Sequence, residues 1–265
     1  MTKTLDAIIR KSRRIMIPLS VVALLGSTPV AYYGATEKNN EYKTLHTIER
    51  ILGENGNDTD KNIALFLSMV KKESSFYDVV IGRDNEVGLL QLKPDTAQQK
   101  GLRTKKTPLK NSNKLQKLFY LGQSEDNKND DRFNAEKNLR AGIGYLFELA
   151  DDFQRTYKMD RATAIDFGLI SYNFGINNVK KLFRLGYSRN PQQFIRRLSR
   201  ENLGKHGITN RRRAIAVDYL TRTNRFRRDY EQRISSMRQN GTPTLGEYGS
   251  SFLRSFPEIY TRLRY

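Results

Sequence analysis

Through "NIALFLSMVKKE" the apolar residues recur at every third or fourth position, with Ile63, Phe66, Met69 and Val70 on one side of a helix predicted over residues 60–73. The same spacing predicts amphipathic helices over 43–53, 111–121, 136–157, 161–174 and 208–235, and no stretch alternates convincingly as a strand. The expected class is therefore mainly α. Continuing the three-and-four spacing from Phe66, Met69 and Val70 puts Glu73 on the apolar side. A carboxyl group taken out of water raises its pKa and stays protonated near neutrality, the state that a general acid requires. The competing reading is a helix-end carboxylate leaning into solvent beside Lys71 and Lys72.

Between the periodic segments, Pro94 suits the first turn of a short helix, so "VGLLQL" reads as an extended crossing that delivers Gln91 into a cleft. The polar stretch between Gln99 and Arg132, ending in "GQSEDNKNDDR", reads as a solvent-exposed excursion. "TEKNNEYK" reads as a polar linker.

Composition narrows the chemistry. The 265 residues contain 47 Lys+Arg against 28 Asp+Glu, a formal net charge of +19, which implies an anionic partner or surface. With no cysteine and only His46 and His206, thiol chemistry, thiolate metal sites and a Ser-His-Asp triad lack their residues; no metal and no cofactor is expected. Chemistry rests on carboxylates, tyrosines and amides.

At the N-terminus Lys3, Arg10, Lys11, Arg13 and Arg14 precede an uncharged run from Ile15 to Thr36, an export signature. The run is long enough to span a bilayer, and Ala31 and Ala35 offer a signal peptidase small residues. Residues 1–36 are thus a cleaved signal peptide or a single-span inner-membrane anchor, and the remainder is expected in the periplasm.

Three stretches in order, "ESSF" at 73–76, "GLLQLKPDTA" at 88–97 and "SYNFGINNV" at 171–179, together resemble the Slt-type lytic transglycosylases of bacterial cell-wall turnover. "NAEKNLRAGIGYL" at 134–146 is similar to the helix between those motifs, and the resemblance covers about half the chain. It implies a lysozyme-like fold that cleaves the β-1,4 bond between N-acetylmuramic acid (MurNAc) and N-acetylglucosamine (GlcNAc) in peptidoglycan, leaving a 1,6-anhydro sugar. Glu73 takes the acid-then-base role by that resemblance, with Tyr172 placed to hydrogen-bond and orient it. Gln91 lines the saccharide groove, Gly88 permits close backbone approach, and Asn173 and Gly175 shape the turn into the next helix. Leu90 stands for the methionine of "GLMQ", and Ser74 helps hold the loop or the substrate. On the residues alone, Tyr172 reads equally as a hydrogen-bonded core tyrosine, Gly88 as a turn glycine and Ser74 as a helix-end serine bonded to its own backbone.

The chain departs from the family pattern at Gly82, where a serine is usual, at Asn85 for a glycine and at Phe174 for an alanine. Asp84 or Asn85 is the expected replacement for the missing serine.

The expected organisation is 1–36 signal or anchor, 37–57 linker and leading helix, 58–185 catalytic domain, and 186–265 basic helical extension. Residues 184–265 hold 18 Lys+Arg against 6 Asp+Glu, a surplus of 12 out of the total +19. Ile215, Tyr219, Phe226 and Tyr230 keep near-helical spacing there, so a structured helix is expected. Its basic face is either simply solvated or meets an anionic membrane, the cell wall or an envelope-complex protein partner. The charge would also suit nucleic acid, but the export segment argues against that partner. The alternatives to transglycosylation are a non-catalytic peptidoglycan-binding scaffold on the same fold and a hydrolytic lysozyme.

Overall fold

A computed structural model describes residues 29–82, 84–105 and 129–240. Residues 1–28 of the signal or anchor expected over 1–36, and the helix expected at 111–121, lie outside the described residues.

Among the described residues eight α-helices run in the order α1 (Pro29–Gly53), α2 (Asp60–Ser74), α3 (Pro94–Gln99), α4 (Ala135–Tyr157), α5 (Arg161–Phe174), α6 (Ile176–Arg184), α7 (Pro191–Arg200) and α8 (Asn210–Asn240). Single 3-10 turns lie at Asp131–Phe133 and Gly204–His206. Among the described residues there is no strand longer than an isolated bridge, and the mainly helical class is borne out. Side-chain caps start the helices where the sequence supplies them: Thr59 caps α2, Asn134 caps α4, Asp160 caps α5 and Asn190 caps α7 ahead of Pro191.

The central element is α2. Every residue from Ile63 to Val70 is buried, so the single apolar stripe expected of it is too narrow a description. The reason is packing: α1 covers one side and the long α8 another, while α4 pairs with α5 and α8 also reaches α5. One hydrophobic cluster runs from Leu45 through Phe66, Phe153 and Phe167 to Tyr219 and Ile234, crossing the boundary expected near residue 185 without interruption. "TEKNNEYK" is not a linker but part of α1, tied to the body by Glu37–Lys71 and by Glu41–Arg233 at 2.7 Å.

"VGLLQL" is likewise not an extended crossing. Val87 and Leu92 exchange backbone hydrogen bonds at 3.1 and 3.0 Å, folding 88–91 into a tight turn with φ of 84° at Gly88 and 46° at Gln91. A Cβ on residue 88 would sit 2.4 Å from the Arg132 carbonyl oxygen and from Asn138 Nδ2, so glycine is required for space as well as for conformation. Asn138, fully buried on α4, holds the turn: its Oδ1 accepts from Leu90 N at 2.8 Å and its Nδ2 donates to the carbonyls of Val87 and Arg132 at 2.9 and 3.0 Å. Arg132 is also fully buried, paired with Asp130 at 2.7 Å and donating to the carbonyls of Asn85 and Leu92. Removing one partner of such a pair strands the other as a buried charge. Arg103 grips Asp131 by side chain and backbone, which holds those two positions side by side.

Candidate active site

The end of α2, the 80–93 loop, the start of α3, the middle of α4, the end of α5 and the start of α8 enclose a cleft of about 660 Å³. That volume is within the usual range for small-ligand sites. Glu73, Gln91, Tyr172 and Asn173 all line it.

Glu73 is partly exposed to the cleft and otherwise enclosed. Burial pushes its carboxyl pKa up to about 7, while the nearby phenol of Tyr219 and the charge of Lys72 pull it down and the Glu86 carboxylate pushes it up. A carboxyl group poised near neutrality can both give and take a proton at little cost. The Tyr219 hydroxyl is fully enclosed and faces Glu73 and Thr223, yet closes a hydrogen bond of full geometry with neither. Burial raises the Tyr219 and Tyr172 phenols well above their ordinary pKa, so both are neutral proton donors.

Tyr172 corrects one expectation: its hydroxyl donates to the Leu90 carbonyl at 2.8 Å and not to Glu73, whose charge acts on the phenol only through space. The tilted Tyr145 ring, 5.5 Å from that of Tyr172, extends the aromatic wall. Gln91 Nε2 donates to the carbonyls of Val80 and Gly88 at 3.0 and 2.8 Å, fixing the amide at the cleft floor. Ser74, Gly88 and Leu90 do not line the cleft. Ser74 is buried and bonds back to the Val70 carbonyl at 3.2 Å, while Leu90 packs on Gly142, where a Cβ would lie 2.4 Å from its Cδ1. Gly88 and Leu90 thus serve the turn itself, and Ser74 closes the last turn of α2.

The space that the missing serine would take belongs to Glu86, not to Asp84 or Asn85. A Cβ on residue 82 would lie 2.4 Å from Glu86 Oε2 and 2.8 Å from Gln91 Oε1. Glu86 Oε2 accepts from Asp84 N at 2.8 Å, and Lys93 Nζ lies 3.8 Å from Glu86 and 3.9 Å from Asp84. Asp84 lines the cleft beside it. Ser75, Phe76, Asn85 and Gln91 all take positive φ, so the segment after Glu73 carries strain of the kind that collects at working sites.

Sequence reasoning missed Glu86, Tyr145, Tyr219, Arg211 and Arg212 as lining or adjoining residues. Only the periodicity that placed Tyr219 on an inward stripe pointed at any of them. Among the described residues no group of three or more His, Asp or Glu is arranged to hold a metal ion, and no helix is long and apolar enough to cross a membrane.

Comparison with curated proteins and with solved structures finds no match. The description "Transglycosylase SLT domain" matches residues 52–195, which span α2 to α7 and include every motif around the cleft. With more than half of the chain matched and the motif residues gathered round one cleft, the chain belongs to the transglycosylase SLT family, lysozyme-like helical proteins with lytic transglycosylase activity on the peptidoglycan of the cell envelope.

Proposed function

We propose that the protein cleaves the β-1,4 bond between MurNAc and GlcNAc without water, with Glu73 as the single acid and base. The observation that carries this is the carboxyl of Glu73, open to the cleft and raised by burial to a pKa of about 7. Protonated Glu73 gives its proton to the glycosidic oxygen as the bond to the muramyl C1 breaks. Positive charge develops at C1 and the C6 hydroxyl oxygen closes on it. The Glu73 carboxylate takes the C6 hydroxyl proton, which returns the acid to its starting form and leaves a 1,6-anhydro muramyl end. Atoms balance with no water consumed, unlike the paired-carboxylate hydrolases.

In this reading Tyr145 and Tyr172 form a face for a sugar ring, and the Gln91 and Asn173 amides meet its polar groups. Residues 1–36 act as signal or anchor for a periplasmic enzyme, and 58–185 form the catalytic domain, followed by 186–265 as a basic extension whose described part, up to residue 240, shares the hydrophobic core. That extension's outer face meets an anionic membrane, the wall or an envelope-complex protein.

Incubating the full-length protein and its Glu73→Gln variant with purified sacculi, followed by mass spectrometry, tests the reading. Products one water lighter than their hydrolytic counterparts, from the wild type alone, support it. Reducing muramic ends would make the protein a hydrolase, and binding to sacculi without release would make it a scaffold.

A further inference from the structure

The cleft is electrically divided. On one side Asp84 and Glu86 face Lys93; on the other, the first turns of α8 present Arg211, Arg212 and Ile215. Arg211 is exposed and, among the described residues, makes no ion pair or side-chain hydrogen bond. Among the described residues the Arg212 guanidinium reaches only the Phe174 carbonyl, at 3.4 Å, the long end of a hydrogen bond, and meets no carboxylate. Arg213, next in sequence, is by contrast turned away onto the carbonyls of Ser199 and Glu201. Ile215, one helical turn on, is 51% exposed and is one of two large apolar side chains left open among the described residues. Ser171 Oγ, fully buried in the wall of the same cleft, has no hydrogen-bond partner among the described residues.

Two cations with no counter-ion among the described residues, beside an uncovered aliphatic side chain, describe the complement of a ligand with carboxylates close to methyl groups. A bare glycan repeat has no such arm except at the lactyl group. The peptide-bearing muramyl unit has it in full, because its lactyl and alanyl methyls are followed by free carboxylates. Arginine is suited to this task, since its planar fork can take a carboxylate through two parallel hydrogen bonds.

We propose that Arg211, Arg212 and Ile215 form a subsite for the stem peptide, so that the enzyme prefers muramyl units whose peptide is intact and carries free carboxylates. This rests on the proposed function, since it takes the glycan to lie in the same cleft. It gives α8 a recognition role and makes the basic charge at its start part of substrate choice.

The test is titration of the full-length protein with three soluble compounds: GlcNAc–MurNAc-peptide with free stem carboxylates, the same compound with those carboxylates amidated, and the disaccharide without peptide. None contains the scissile MurNAc–GlcNAc bond, so binding is read without turnover. The free-carboxylate form is expected to bind on the order of tenfold tighter than either of the others, the size of one charge-assisted contact. Arg211→Ala, which breaks no ion pair or side-chain hydrogen bond among the described residues, should shrink that ratio, and the Arg211→Ala/Arg212→Ala pair should bring it close to one. Arg211→Lys should recover part of it.

Equal binding of all three compounds overturns the subsite, and so does a disaccharide that binds as tightly as the peptide form, because the lactyl carboxylate would then suffice. Anhydro ends from sacculi are scored separately. Their absence alongside a peptide-dependent ratio would count against the proposed reaction and leave the peptide subsite standing.

Discussion

The Tyr219 hydroxyl of α8 faces the Glu73 carboxyl of α2, so a helix beyond the matched family segment contributes to the environment of the proposed acid. The phenol draws the Glu73 pKa down against the larger upward push of burial. Tyr219→Phe should therefore raise that pKa and move the alkaline limb of the kcat/KM profile to higher pH. Stability should change by no more than about 1 kcal/mol, because the hydroxyl being removed closes no full hydrogen bond. A pH profile read beside a thermal melt checks both. An unmoved limb in a folded variant would remove Tyr219 from the site.

Glu86 and Gly82 should behave as a coupled pair. The Glu86 carboxylate helps raise the Glu73 pKa, so Glu86→Gln should move the alkaline limb to lower pH. Gly82→Ser would bring its Cβ to 2.4 Å from Glu86 Oε2, and the flexible carboxylate end would swing away. The limb should then shift in the same direction, at a cost to stability of about 1–2 kcal/mol. In the Gly82→Ser/Glu86→Ala double variant most of that cost should vanish, and a double-mutant cycle by chemical denaturation measures the coupling. Additive effects would mean that Glu86 does not hold the serine's place.

Behind the cleft, Asn138→Ala leaves the Leu90 N–H and the carbonyls of Val87 and Arg132 without their partner in a dry interior. The expected loss is about 3 kcal/mol or more, at roughly 1–3 kcal/mol for each stranded group. Activity should fall further than the unfolded fraction explains, because the turn also carries the Gln91 amide and the carbonyl that fixes Tyr172. Denaturation midpoints compared with kcat separate the two effects.

How far the sequence showed this site depends on how local each contact is. The helix around Phe66 and Met69 and the motif order that brings Glu73, Gln91 and Tyr172 together are written in short-range spacing, and they were legible. Asn138 was not, because a buried asparagine on an amphipathic helix looks like any polar residue until the turn it holds is in place. Glu86 was hidden for a similar reason: its place against Gly82 depends on a bend at Asn85 with φ of 64°, which no periodicity encodes. "TEKNNEYK" misled because a polar stretch with no packing partner in view reads as a linker. Its helix is set by distant partners, Glu41 with Arg233 and Glu37 with Lys71. Tyr219 sat between these cases: its inward stripe was visible and its neighbour on α2 was not.

Burial of Glu73 also fixes a sign for stability against pH. The folded-state pKa of about 7 lies above the ordinary value of 4.5, so between those values the folded protein binds more protons than the unfolded chain. Stability is therefore highest below about pH 4.5 as far as this group is concerned, and falls as pH rises until it levels off above about 7. Since the carboxyl is partly open to the cleft, the loss should be on the order of 2 kcal/mol, less than the full shift would give. Glu73→Gln removes the titration while keeping the shape, so the variant should be the more stable protein at pH 8 and nearly equal to the wild type at pH 5. Urea denaturation of both proteins at the two pH values checks this. Equal stability at pH 8 would mean that Glu73 titrates as an ordinary surface carboxylate, and the proton transfers assigned to it would lose their physical basis.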